Sequence, residues 1–114
     1  MAEAMLLKTA CIATNWSSNT EFMNPETACM VSCDMVTIEK GEGSYPPGAT
    51  WADPSMEETA MYMKRLKESP DYYQEIVEKA YDSVSAILGI EKVSELLKER
   101  IAQIYKLICD TEQI

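Results

Sequence analysis

Two apolar segments, each too short to form a helix, constrain the fold of this chain more than any other feature. They are Cys11–Thr14 and Ala28–Ser32. Neither segment alternates apolar and polar residues, which is typical of strands that are buried on both faces, as in a parallel sheet. The second strand is predicted either to end at Ser32 or to continue through Met35–Ile38, before a glycine- and proline-containing loop at Glu39–Pro47.

The chain is expected to be helical from about residue 54 onward. Asp53 suits an N-cap, and Pro54 suits the first helical position. Three apolar stripes at helical spacing follow. They are Met56, Ala60, Met63 and Leu66; Tyr73, Ile76, Val77, Ala80, Val84 and Ile87; and Val93, Leu96, Leu97, Ile101, Ile104 and Ile108. Gly89 is expected to end the second helix as a C′ glycine.

These patterns predict an α/β fold. We expect a truncated Rossmann-like half-domain, in which short parallel strands are packed by C-terminal helices, and residues 1–114 form one partial domain. A two-stranded sheet is marginally stable by itself, and the edge of Cys11–Thr14 is expected to be free. The sequence therefore predicts a homo-oligomer, formed through that strand edge or by exchange of helices.

Composition excludes several classes of partner. The net charge of −9 disfavours nucleic acid and anionic membranes, since binding to either needs clustered Lys and Arg. No apolar run is long enough to span a membrane, and the first residues lack the basic segment of a signal peptide. We expect a cytoplasmic protein with four reduced cysteines and no bound metal.

Few residues are candidates for catalysis. The chain has no histidine, which excludes nucleophile systems that use a Ser–His or Cys–His pair. It has no phosphate-binding glycine motif, and no pair among its 19 acidic residues stands out. From the residues alone we therefore assign no catalytic residue.

Several short segments nevertheless follow one another in a specific order. They are Ala2–Met5 (AEAM), Cys11–Thr14 (CIAT), Trp16–Asn19 (WSSN), Glu21–Met23 (EFM), Tyr45–Gly48 (YPPG) and Trp51–Pro54 (WADP). In this order they resemble the C-terminal part of the donor-binding domain of retaining GT-B glycosyltransferases of group 1. The resemblance extends from residue 2 to about residue 68, and beyond that it rests on the helical pattern only.

The resemblance implies a set of donor-binding residues. Glu3 corresponds to the family's glutamate that accepts hydrogen bonds from the ribose hydroxyls of a sugar nucleotide. Ser17, Ser18, Asn19 and Glu21 are implied to face the donor. From the residues alone, a glutamate near a helix N-terminus is more often a partner of the helix dipole, and a serine-rich turn is at least as often structural.

Three positions depart from the family pattern. Lys8 replaces a helix-ending glycine, Ala10 replaces a proline, and Ser18 replaces the glycine of the turn. A glycine at a helix end usually supplies a positive φ. We therefore expect Lys8 to occupy either a strained or a differently capped helix end.

The implied function is transfer of a hexose from a UDP- or GDP-sugar to an acceptor, with no cofactor besides this donor substrate and no metal. The family's first glutamate, its glycine-rich turn and its acceptor domain have no counterpart in these residues. The chain alone is therefore expected to bind sugar nucleotides weakly or not at all and to be inactive. The alternative is a small helical interaction module that keeps the scaffold without binding nucleotides and contacts a protein through Val93–Ile108. Neither the donor sugar nor the acceptor is indicated.

Overall fold

The computed structural model of the protein describes residues 1–111. Within this range the chain forms four α-helices, four β-strands and one 3₁₀ helix. In chain order these are α1 (Ala2–Leu6), β1 (Ile12–Thr14), the 3₁₀ helix (Ser17–Glu21), β2 (Cys29–Val31), β3 (Cys33–Thr37), β4 (Thr50–Pro54), α2 (Met56–Glu68), α3 (Pro70–Leu88) and α4 (Ile90–Thr111). The chain is therefore mixed α/β, as its sequence predicts.

β1 and β2 form a small parallel sheet at the two apolar segments of the sequence. Ile12 is paired with Cys29, and Ala13 is paired with Met30. Successive side chains point to opposite faces, so Ala13 and Met30 join one apolar cluster while Ile12 and Cys29 join another. All three residues of β2 are buried. The predicted pair of parallel strands is confirmed.

The second strand does not continue into Met35–Ile38. Ser32 interrupts it, because its amide donates a hydrogen bond to the Glu58 carboxylate and its carbonyl accepts one from the Ser55 amide. The chain then enters β3, which pairs with β4 as an antiparallel hairpin. This hairpin is a second sheet that the sequence analysis did not predict.

The first long helix begins two residues later than expected. Asp53 and Pro54 belong to β4, where pairing with β3 holds their backbone extended, so neither caps or starts the helix. The N-cap is Ser55, whose Oγ accepts a hydrogen bond from the Glu58 amide at 3.2 Å. The prediction for Asp53 and Pro54 is thus wrong.

α3 lies at the centre of the core. Its buried residues belong to the predicted stripe: Ile76, Val77, Ala80 and Val84. The first two pack with Cys29 of β2, and the last two pack with Met5 of α1 and Met30 of β2. One helix therefore joins α1 to the parallel sheet through both apolar clusters.

α2 buries a different face from the predicted one. Met56 and Met63 are 79% and 62% exposed, whereas Tyr62 and Leu66 pack against the cluster around Cys29. Both faces have helical spacing and share Leu66, so the period of the pattern does not determine which face is buried. The predicted packing of Met56 and Met63 is wrong.

α4 extends away from the rest of the molecule. None of its residues up to Cys109 is buried. α4 therefore does not cover the parallel sheet, although the last helix was expected to pack there. The radius of gyration is 19.8 Å, whereas a compact domain of this length has about 13 Å. The compact body, which contains both apolar clusters, is thus formed by α1, the parallel sheet, α2 and α3.

Two helix ends use different backbone conformations. Lys8 follows α1 with φ +54°. The amide of Thr9 bonds to the Ala4 carbonyl and that of Lys8 to the Met5 carbonyl, which are the two hydrogen bonds of a Schellman motif. Gly89 ends α3 with φ −61°, so it is not the left-handed glycine that the sequence predicts. A side chain there would overlap the carbonyl oxygen of Ser85.

Candidate functional site

An open cleft of about 350 Å³ lies where three separate segments of the chain meet. It is lined by Thr14, Trp16, Ser17, Tyr45, Thr50, Trp51 and Ala52. Thr14 is the last residue of β1. The cleft therefore lies at the carboxyl end of the parallel strands, which is where open α/β sheets bind ligands. We call it the aromatic cleft.

Three large aromatic side chains of this cleft are exposed to solvent. Trp16, Tyr45 and Trp51 are 50%, 54% and 43% exposed, and the two tryptophans are the only ones in the chain. The rings of Tyr45 and Trp51 are arranged edge to face, with centroids 5.9 Å apart and planes at 70°. Tryptophan is on average highly buried in proteins, so this joint exposure marks a surface available for binding.

The wall after β1 is fixed by backbone hydrogen bonds. The Asn15 amide donates to the Val31 carbonyl of β2 at 2.7 Å, and the Trp16 amide donates to the Thr14 carbonyl at 2.8 Å. Ser17 follows with φ +70°, a conformation that side-chain-bearing residues rarely adopt. Such strained residues are found most often at functional sites.

The opposite wall comes from the β3–β4 hairpin. Glu42 and Tyr45 exchange both backbone hydrogen bonds, at 3.0 and 2.9 Å, around a two-residue turn. Gly43 takes φ +54° in this turn, as the first central position of a primed hairpin turn requires. The turn places Tyr45 against Trp51 of β4.

The structure separates the four predicted residues of the donor-side turn. Ser17 lines the aromatic cleft, whereas Ser18 and Glu21 are exposed and are not among its lining residues. Asn19 is buried, and its side-chain amide donates to the Thr14 carbonyl at 2.9 Å. Asn19 therefore holds the turn against the end of β1. The positive φ falls at Ser17, one residue before the position where the family has glycine.

Glu3 lies on α1, outside the residues that line the aromatic cleft. Its side chain is 88% exposed, with one carboxylate oxygen 3.7 Å from the Met1 amino group. A hydrogen bond from its own backbone amide, and next the Met1 charge, lower the pKa of the Glu3 carboxyl. An ionised, accessible carboxylate can accept hydrogen bonds from hydroxyl groups.

A second, smaller cleft of about 230 Å³ lies beside α3 and includes Arg65, Tyr72 and Lys79. The Arg65 guanidinium lies 3.7 Å from the centre of the Tyr72 ring. Burial, followed by the hydrogen-bonding contact with the Cys29 thiol at 3.5 Å, raises the pKa of Tyr72 to about 12. Lys79 is paired with Glu75 at 2.7 Å, so its charge is already compensated.

Among residues 1–111, no three cysteine or acidic side chains are grouped so that they could hold a metal ion. In the same part of the chain, no helix combines the length and the apolar character that crossing a membrane requires.

Comparison of the chain with protein-family models, with curated proteins and with solved structures gives no match. The site must therefore be interpreted from its own geometry.

The segments around the cleft can be identified from the sequence, but its main residues cannot. Trp16, Tyr45 and Trp51 belong to those segments, and no pattern in the sequence gives them a role. The signal that could have identified the two tryptophans is their position. Both lie in segments flanked by loops or turns and not on a helical stripe. Their proximity depends on the β3–β4 hairpin, which was not predicted.

Proposed function

We propose that this chain is part of the donor-binding domain of a retaining GT-B glycosyltransferase, with the parallel strands as a truncated Rossmann-like half-domain. A UDP- or GDP-sugar is the proposed ligand. The observation that carries the proposal is that three separate segments of the chain meet at one cleft. Residues of the segments Trp16–Asn19, Tyr45–Gly48 and Trp51–Pro54, on which the resemblance rests, line one cleft at the carboxyl end of β1.

Glu3 is the proposed ribose-binding residue. One carboxylate can accept both vicinal hydroxyl protons of a ribose in charge-assisted hydrogen bonds. The exposure of its side chain and the lowered pKa of its carboxyl support this role, because the group is accessible and ionised at neutral pH.

We do not expect these residues alone to catalyse transfer. Departure of a nucleoside diphosphate needs positive groups aimed at the developing charge. None of the residues that line the aromatic cleft is basic, and the net charge of the chain is −9. The cytoplasm is the proposed location, since Cys11, Cys29, Cys33 and Cys109 are all free thiols.

The proposal is tested by saturation-transfer NMR with UDP-glucose and GDP-mannose. The sequence alone allows weak binding or none. Because the segments of the resemblance form one cleft, we expect at least one of the two ligands to bind, with a Kd of about 1 mM or weaker. Glu3→Gln removes the charge of the acceptor and should weaken binding about tenfold. Glu57→Gln, an equal charge change at the exposed start of α2, is the matched control.

Three results contradict the proposal. Absence of binding by either nucleotide sugar excludes a donor site. An equal response of the Glu3 and Glu57 variants excludes the ribose role of Glu3. Efficient glycosyl transfer by the purified chain contradicts the expected inactivity.

A second candidate function is favoured by α4. The predicted stripe is between 38% and 56% exposed on this helix, and it comprises Val93, Leu96, Leu97, Ile101, Ile104 and Ile108. A helix with one apolar face normally gains its stability by packing that face. The alternative is therefore an interaction module that binds through α4, and we propose a second copy of the chain, joined by helix exchange, as the occupant.

Sedimentation at high micromolar concentration tests this second candidate. A homo-oligomer is expected, while a clean monomer contradicts both helix exchange and pairing through the free edge of β1. Oligomerisation together with no response to nucleotides favours the interaction module over the donor-binding function.

A further inference from the structure

The aromatic cleft has properties that nucleotide binding alone does not require. We propose that it is a binding site for a neutral pyranose ring, formed by Trp16, Tyr45 and Trp51 with the hydroxyl groups of Ser17 and Thr50. The proposal does not rest on the sugar-nucleotide function, because it concerns recognition of an uncharged sugar without its nucleotide.

The aromatic rings supply an apolar surface of the right kind. A pyranose has an apolar face of C–H groups with partial positive charge, and the face of an aromatic ring carries the complementary negative quadrupole. Trp16, Tyr45 and Trp51 are each about half exposed, so ring surface is available without rearrangement of the core. The edge-to-face arrangement of Tyr45 and Trp51 holds both rings in place.

The polar groups of the cleft suit hydroxyl ligands. Thr14, Ser17 and Thr50 line the cleft, and each carries a side-chain hydroxyl, which can both donate and accept a hydrogen bond. In the described part of the chain, the side-chain oxygens of Ser17 and Thr50 make no hydrogen bond to another residue. A sugar ring presents the same donor-and-acceptor groups, so each partner can adapt its hydroxyl direction to the other.

The side chains that line the cleft offer no charge to a phosphate. None of its seven lining residues carries a charge. Anion recognition in proteins uses Arg, Lys or the N-terminus of a helix. The lining includes no basic side chain, and the 3₁₀ helix that begins at Ser17 has only five residues. A neutral ring therefore matches this lining better than a phosphate group does.

A nucleobase is the nearest alternative ligand, and it fits less well. Base recognition combines stacking with fixed donors and acceptors along one edge of a planar ring. The planes of Tyr45 and Trp51 meet at 70°, which leaves no parallel slot between them, and the polar groups are rotatable hydroxyls. The cleft volume of about 350 Å³ is at the small end of the range for ligand pockets, which suits a ligand of one or two rings.

The chain provides its own reporter for a test. It contains two tryptophans, and both line the cleft, so the nitrogen-15 spectrum has two indole signals that report on this site. We titrate the methyl pyranosides of glucose, galactose, mannose and N-acetylglucosamine up to about 100 mM, because single rings of this size bind in the millimolar range. At least one pyranoside should shift an indole signal saturably.

Variants separate ring stacking from general effects. Trp16→Ala, outside the strands, and Trp51→Ala should each raise the Kd about tenfold, whereas Trp51→Phe keeps a ring and should change it by less than about threefold. Tyr105→Ala removes an aromatic residue that is 66% exposed on α4, and it is the matched control with no expected effect. If Trp51→Ala loses its dispersed spectrum, Trp16→Ala and Trp51→Phe still decide the outcome.

The proposal is overturned if no pyranoside shifts either indole signal, or if uridine shifts them at lower concentration than every pyranoside. Equal Kd values for Trp16→Ala and Tyr105→Ala overturn it as well. A pyranoside response without a response to UDP-glucose supports this site and contradicts only the sugar-nucleotide function. The reverse pattern contradicts only the pyranose site.

Discussion

At the scale of single residues, Lys8 shows most clearly how the structure accommodates a departure from the sequence pattern. The glycosyltransferase pattern that the sequence resembles has glycine at this position, and Lys8 takes the positive φ that a glycine would supply. Contacts of the Lys8 side chain offset part of the strain of this backbone conformation. The ammonium group contacts both carboxylate oxygens of Glu78, at 2.9 and 2.8 Å, and lies 5.0 Å from the centre of the Tyr81 ring.

Replacement of Lys8 should separate these two effects. Lys8→Ala loses the contacts with Glu78 and keeps a side chain at positive φ, while Lys8→Gly loses the same contacts and relieves the strain. We expect Lys8→Gly to be more stable than Lys8→Ala by about 1 kcal/mol, measured by urea unfolding. Equal stability of the two variants would contradict the left-handed conformation of Lys8.

Tyr72 gives the structure a dependence on high pH. Its pKa is raised to about 12 in the folded chain, from an ordinary value of 10, so folding favours the neutral phenol. Its contribution is therefore fully present below pH 10 and is lost as the pH rises from 10 to 12. Over this range the unfolding free energy should fall more in the wild type than in Tyr72→Phe, by on the order of 1 kcal/mol because solvent screens this partly exposed phenol. Parallel curves for the two proteins would be the opposite result.

At the scale of elements, the structure differs from the sequence-based prediction at the start of α2. Ser55 caps the helix and Asp53 lies in β4, opposite Asp34. Ser55→Ala should therefore cost about 1 kcal/mol of unfolding free energy. Asp53→Ala should cost less than about 0.5 kcal/mol, because it also removes a like-charge pair across the hairpin. A larger loss of unfolding free energy for Asp53→Ala than for Ser55→Ala, measured in the same denaturant series, would instead support Asp53 as the N-cap.

The elements also show what could be predicted from sequence. α3 and the two parallel strands were predicted, because each has an apolar pattern with one buried arrangement. α2 was assigned the wrong face, since Met56 and Met63 on one side and Tyr62 on the other give the same period. The β3–β4 hairpin was missed because its strands are separated by a long loop, so the pairing that defines it is not local.

The candidate site could be predicted only in part for the same reason. Ser17 was predicted to face a donor at the carboxyl end of β1, and it lines the aromatic cleft there. Asn19 was given a donor-side position, although its side chain is occupied by the Thr14 carbonyl. The contribution of Tyr45 and Trp51 depends on where the β3–β4 hairpin lies relative to the end of β1, which no local pattern determines.

At the scale of the whole molecule, the extended shape depends on α4, which extends from the core with its apolar stripe exposed. If that stripe joins two copies, a charge within it should prevent association. Leu97→Glu should shift the sedimentation profile to monomer, while the melting temperature of the compact body stays unchanged. Gln103→Glu, an equal charge change on the same helix, is the control and should leave the profile of the wild type. Dissociation by both variants would indicate a general charge effect instead of a specific face.

The central claim is that these segments form the donor side of a glycosyltransferase domain, and chemical-shift mapping with UDP tests it most directly. The nitrogen-15-labelled chain is titrated with UDP, and the amide shifts are placed on the structure. The account predicts that the largest changes cluster around Glu3 and Ser17. Absence of any change, or changes confined to α4, would contradict it.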